Sequence, residues 1–278
     1  MRQSIFTIIL LFLGFALSMS SCQEVPNDGL PSYIKINQVS FLNEDGVVDT
    51  LSGVYDVWMQ VEGDDRGAIG WPNTVAIMAE GEKLILLEPG IYKNGDFLQR
   101  EVYPFYDIVQ IDTTLILFDT LVLSPVFRYA QGIQFGLRET FEVSNNFSNL
   151  NAENPPVPLS GKAGIIHLNS SLTSAECAML SAVGLPSGQR IFLEMHYSST
   201  NDFAIGLRGE ENGNVLADAF IYYAPPTQEG RWEKLYLDVS NDIGQIDAES
   251  YRFYLQTSLY PDSDSSFIAI DNVKLVHF

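Results

Sequence analysis

The residues best placed for binding chemistry alternate along three strand-like segments. In Phe192-Leu-Glu-Met-His-Tyr-Ser198, Leu193, Met195 and Tyr197 share one side of an extended chain, and Glu194, His196 and Ser198 share the other. Phe203, Ile205 and Leu207 face inward in the next segment and send Arg208 outward. In Tyr251–Gln256, Phe253 and Leu255 face inward and leave Arg252, Tyr254 and Gln256 outward. If these strands lie in one sheet, its outer face gathers Glu194, His196, Arg208, Arg252, Tyr254 and Gln256. Tyr222 or Tyr223, from Ala219–Tyr223, joins them. Carboxylate, guanidinium and amide groups suit hydroxyl-rich ligands, and aromatic rings suit the C–H faces of sugars. The same alternation also describes a plain solvated sheet face.

Catalytic signatures are missing. There is no Gly-x-Ser-x-Gly elbow, phosphate-binding loop, His-Glu-x-x-His or zinc-spaced cysteine pair, and the three histidines, His167, His196 and His277, are far apart. Two facing carboxylates of the glycosidase type have no motif to mark them. The chain therefore reads as a non-enzyme. With 35 acidic against 15 basic residues, a net charge of −20 disfavours nucleic acid as a partner.

The amino terminus places the protein. Arg2 precedes an apolar run, Ile5 to Leu17, that is shorter than the roughly 20 residues a spanning helix needs and fits the core of a secretory signal. Met19-Ser-Ser-Cys22 follows and resembles a bacterial lipobox, with methionine where leucine is usual. The resemblance implies a signal peptide over 1–21, lipidation of Cys22, and an outer-membrane location on the periplasmic or cell-surface face. Residues 22–30, polar and rich in turn formers, read as a tether. Glu24 and Asp28 loosely resemble the acidic export signal of Bacteroidetes surface lipoproteins. Lipidation of Cys22 leaves Cys177 alone, so no disulfide forms. Cys177 reads as a small core residue.

The elements predicted along the rest of the chain are strands. Short apolar or alternating runs separated by Gly, Asn, Asp and Pro recur, with no long helical stripe, which predicts an all-β protein of two sandwiches. The first covers 31–130, with strands expected at 33–41, 54–61, 75–78, 83–87, 102–112 and 115–123. Its run from Asp56-Val-Trp-Met-Gln-Val-Glu-Gly63 through Gly70-Trp-Pro-Asn73 to Glu88-Pro-Gly-Ile-Tyr92 weakly resembles the small Ig-like sandwiches of the PEGA type, which are structural or interaction modules. Trp58 reads as core, while Trp71 is balanced between core and ligand platform. Tyr103-Pro-Phe-Tyr106 reads as an exposed patch or the seam between domains.

The second domain covers 134–278. Arg138-Glu-Thr-Phe-Glu142, Gly230-Arg-Trp-Glu-Lys-Leu-Tyr-Leu-Asp238 and Phe267-Ile-Ala-Ile-Asp-Asn-Val-Lys-Leu275 occur in an order that resembles jelly-roll carbohydrate-binding modules of the galactose-binding-like fold. The resemblance implies a structural role for Trp232. It also implies a structural calcium ion between the opening acidic strand and the closing Asp-Asn, at Glu139 or Glu142 with Asp271; the alternative is that Asp271 accepts loop N–H groups. The expectation is a lipid-anchored envelope protein that binds carbohydrate through its second domain. The alternative is an accessory subunit of an outer-membrane protein complex, favoured if the aromatics around Trp71 and Tyr103–Tyr106 are exposed.

Overall fold

The computed structural model describes residues 29–159 and 161–278. Cys22 and the segments read as signal and tether up to residue 28 lie outside them. Among the described residues no helix is long and apolar enough to cross a membrane.

The chain is all-β. Its first ten strands are β1 (Ser32–Ile36), β2 (Ser40–Phe41), β3 (Val54–Val61), β4 (Asp64–Ile69), β5 (Asn73–Ile77), β6 (Gly81–Tyr92), β7 (Arg100–Val102), β8 (Val109–Leu115), β9 (Thr120–Leu123) and β10 (Val126–Phe127). They form a β5-β1-β9 sheet, a short β10-β2 pair and a β4-β3-β6-β7 sheet in which β8 also pairs with β6. Ile34, Ile36 and Ile77 of the first sheet meet Val57, Met59, Ile85 and Leu87 of the last in one core. Sequence reading missed β4, because Asp64 and Asp65 belong to the Glu62-Gly63 hairpin signal while the strand itself is short and exposed. Trp58 corrects the expectation of a core residue. The residues on either side of it in β3, Val57 and Met59, are fully buried, so Trp58 points out of the sheet and is only half-buried. Trp71 packs at the core's edge against Phe41, with ring centroids 6.3 Å apart.

The second half adds β11 (Gln134–Glu139), β12 (Asn151–Glu153), β13 (Ala163–Asn169), β14 (Ser174–Ala178), β15 (Ile191–Ser199), β16 (Phe203–Glu211), β17 (Asn214–Ala224), β18 (Glu233–Asp238), β19 (Ser250–Ser258) and β20 (Ser265–His277), with the helix α1 (Ser240–Ile246) before β19. A sheet ordered β12-β13-β20-β15-β18, with β11 also on β20, faces a β14-β19-β16-β17 sheet. Every pairing in these two sheets is antiparallel. Leu193, Met195, Tyr197 and Leu275 from one sheet interlock with Phe203, Ile205, Leu207, Phe253 and Cys177 from the other. At one end α1 is packed so closely that a Cβ on Gly209 would lie 2.3 Å from Ile246.

The first half does not close its own core. That core takes in Phe192, Tyr236 and Val276, which come from the back of the β15-β18-β20 sheet. Tyr103 stands edge-on to Phe192 at 5.4 Å and lies 4.7 Å from Tyr236. Tyr103, Phe105 and Tyr106 are buried, so the cluster is the seam between the halves. Further along the same sheet, Ala163, Ile165 and Ala269 are covered by Trp232, Val157 and Leu51. The Trp232 indole donates to the Val157 carbonyl at 2.9 Å, in keeping with a structural tryptophan. Both faces of the six-stranded sheet are thus covered. The outer face of the four-stranded sheet is left to solvent.

Candidate functional site

Register lays out that open face in rows. The first row is Glu176–Gln256–Ala204–Tyr223, the second Ala178–Tyr254–Gly206–Phe220, and the third Arg252–Arg208–Asp218. Phe220 and Tyr223 are 64% and 54% exposed, so two rings on this face reach solvent. They are three residues apart, and strict alternation would put them on opposite faces. A β-bulge between Ile205 and Gly206 brings them together, because it pairs Tyr222 with Ile205 and Phe220 with Gly206.

Arg208 organises the centre. Its guanidinium donates to both Asp218 oxygens at 2.9 and 3.0 Å and to Glu176 at 3.3 Å. These acceptors, the Asp218 hydrogen bond first, raise its pKa further, so it is always charged. The guanidinium also lies 4.9 Å from the centroid of Tyr254. Tyr254 lies flat because Gly206 is beneath it, where a Cβ would sit 2.1 Å from the ring. Gln256 donates to Glu176 at 2.8 Å. Tyr223 donates to Asp202, which with burial and the Asp202 charge raises the phenol to about 12. Beside this ring a shallow open groove of about 430 Å³ is lined by Ser174, Glu176, Asp202, Tyr223, Gln256 and Ser258. Carboxylates, an amide, hydroxyls and a ring thus share one rim, which provides donors and acceptors in the mixture that vicinal hydroxyls require.

The seven residues predicted to share one face do not do so. Arg208, Arg252, Tyr254 and Gln256 lie on the four-stranded sheet as expected. Arg252 is held by Glu210 at 2.5 Å and by the Met179 carbonyl at 2.8 Å, so it ties β19 to β16 and to the segment that follows β14. Tyr222 turns inward at the bulge, and its hydroxyl approaches Gly95 of the first half, where a Cβ would lie 2.5 Å away. Its place on the face belongs to Tyr223. Glu194 and His196 belong to β15, in the other sheet, at 0% and 5% exposure. Their side chains alternate as expected, but the face they occupy is the one docked against the first half.

Glu194 is the centre of that seam. It accepts hydrogen bonds from Tyr103 and, at 2.9 and 2.8 Å, from Tyr129, and pairs with Lys234 at 3.1 Å. Burial pushes its pKa up, but Lys234, Lys274 and the two phenols overcome this and hold it below the usual carboxylate range. Lys234 also reaches Asp49 at 3.0 Å, and Lys274 reaches Glu44 at 2.5 Å. His196 contacts the Leu51 carbonyl at 3.0 Å and the Asn272 side chain at 3.2 Å. Burial, helped by Lys234, lowers it to about 4, so it is neutral.

The residues proposed for calcium act as N–H acceptors. Glu139 accepts from Phe141 at 2.6 Å and Asn146 at 2.8 Å, Glu142 from Lys162 at 2.8 Å, and Asp271 from Asn272 at 2.7 Å. Among the described residues no group of three or more acidic, histidine or cysteine side chains is placed to hold a metal ion. Glu139 and Glu142 are close enough to add to burial in raising Asp271 to about 7.

No family model matches the sequence, and no curated protein matches it. Among solved structures, the chain is similar to the enzymatically active domain of a bacteriophage CBA120 tailspike protein, with 14% identity and a TM-score of 0.37 over 57% of this chain. It spans only 26% of that chain. It is also similar to a family 29 carbohydrate-binding module, with 16% identity, a TM-score of 0.32, and 52% of this chain against 86% of that one. A family 61 module in complex with beta-1,4-galactotriose matches at 12% identity and a TM-score of 0.30, over 52% of this chain and 88% of that one.

Proposed function

We propose that this chain is a lipid-anchored, non-catalytic protein of the outer membrane that binds carbohydrate on the open face of its four-stranded sheet. The observation that carries the reading is the pair of exposed rings, Phe220 and Tyr223, set beside Asp202, Glu176, Gln256 and the Arg208–Asp218 pair. Sugars present C–H faces that pack on rings and hydroxyls that bridge carboxylate and amide groups. Arg208 and Tyr254 serve as the support that fixes these contacts, and Glu194 and His196 fasten the first half to the second. Anchorage rests on the lipobox-like Met19-Ser-Ser-Cys22. Tyr103, Phe105 and Tyr106 are buried, so they do not add to an exposed aromatic patch of the kind the protein-complex reading would use.

The test is a glycan array and polysaccharide pull-down with the whole mature chain, because residues 134–278 alone would expose Phe192, Tyr236 and Val276. Binding that is lost in Tyr223→Ala and Phe220→Ala supports the reading. A folded chain that retains no glycan overturns it.

A further inference from the structure

The end of the first half at which the chain enters β1 carries apolar side chains that the core does not use. Leu30 is 41% exposed, Met78 60%, Ile116 60% and Phe118 66%. They come from three separate segments that register brings together. Ser32 pairs with Ile77, which sets Met78 beside the chain entry. The Phe118 amide donates to the Pro31 carbonyl at 2.9 Å, which sets the β8–β9 turn beside it as well. Phe118 is held at φ 61°, in the left-handed region where a bulky side chain is rare and Gly or Asn is favoured. The Phe118 side chain belongs to no core cluster of the described residues.

We infer that this tip rests on the surface of a zwitterionic bilayer, with Ile116 and Phe118 dipping into the interface. The inference rests on the proposed lipidation of Cys22. Six residues separate Cys22 from Gly29, and the seven steps between them reach about 25 Å at most. An anchored chain therefore cannot hold this tip far from the membrane. Glu80, Glu82 and Asp119 border the patch, so an anionic surface would repel it and a zwitterionic one would not. Apolar and aromatic side chains near the headgroup level are what such a surface takes up.

The experiment uses the chain from Cys22 onward, coupled through the Cys22 thiol to vesicles of brominated phosphatidylcholine carrying a thiol-reactive lipid. Cys177 is buried and does not compete. The inference predicts that Phe118→Trp loses part of its emission to the bromines, while wild type and Asp262→Trp keep theirs. It also predicts that Ile116→Asp added to Phe118→Trp abolishes the loss. Equal emission from Phe118→Trp and Asp262→Trp overturns it. The mass of the amino-terminal peptide from an expressing Gram-negative cell reports acylation separately. An unacylated Cys22 removes the anchor reading, while the quenching comparison still decides whether the tip enters a bilayer.

Discussion

The phenol of Tyr103 donates a hydrogen bond to the Glu194 carboxylate across the seam, and both groups are fully buried. One belongs to the first half and the other to the second, so a single ion-pair and phenol network fastens them together. Removing one partner of such a network strands the others. Glu194→Leu leaves Lys234 with Asp49 alone and two phenols unpaired, and is expected to cost roughly 3–5 kcal/mol. Tyr103→Phe, which removes one hydroxyl, costs about 1–3 kcal/mol. Urea unfolding followed by circular dichroism measures both. Equal, near-zero effects would contradict the network.

Titration of the buried pair near the seam separates two opposite pH dependences. His196 is lowered to about 4 by burial, so between that value and its ordinary range near 6.5 the unfolded chain binds the proton and the folded chain does not. Its contribution is present above about pH 6.5 and falls away as the pH drops toward 4. Asp271 is raised to about 7 by burial. Here the folded chain holds the proton that the unfolded chain releases, so stability is lost as the pH rises from about 4 to 7. Asp271→Asn is therefore expected to stabilise the protein above pH 7, by on the order of 2 kcal/mol, and to flatten that part of the curve. Thermal melts at pH 5 and pH 8 would show it. A variant less stable than wild type at pH 8 would contradict it.

Gly206 is the position where a single methyl group tests how the face is built. Gly206→Ala places a Cβ 2.1 Å from the Tyr254 ring, which must lift and take its contact with Arg208 with it. The expected cost is about 1–3 kcal/mol, measured by thermal denaturation. A fully stable variant would show that the ring does not depend on the bare backbone beneath it.

Cys177 gives a direct probe of the second core. Burial, with a smaller contribution from Glu176, pushes its thiol up to about 12, so the reactive thiolate is scarce. Iodoacetamide is expected to label it only above the unfolding midpoint in urea. Rapid labelling of the native chain would contradict its placement.

The strand pattern was legible in the sequence to a large degree. The run 54–61 is β3 as predicted, and β15, β16 and β19 lie where alternation put them. What alternation does not carry is which sheet a strand joins and what covers each face. Glu194 and His196 alternate with apolar neighbours as a solvated face would, yet all nine residues of β15 are buried because the first half docks on that side. Of the alternatives Tyr222 and Tyr223, it is Tyr223 that faces outward, and the reason is local. A bulge advances the register of β17 by one residue, and nothing in Phe220-Ile-Tyr-Tyr223 marks it. Glu176, Asp202 and Asp218 were passed over because they lie in short or exposed segments without apolar periodicity. Trp58 was misplaced because its strand is apolar overall, although its neighbours Val57 and Met59 already fix it on the opposite face.

The open face is the account's central claim, and an affinity measurement tests it most directly. Isothermal titration of the whole chain with the best ligand from the array should give a Kd that weakens about tenfold or more in the Phe220→Ala, Tyr223→Ala double variant. Leu216→Ala, on the same strand but outside the rows that carry the site, should leave it unchanged. A double variant that binds as tightly as wild type would show that the carbohydrate, if bound, sits elsewhere on the molecule.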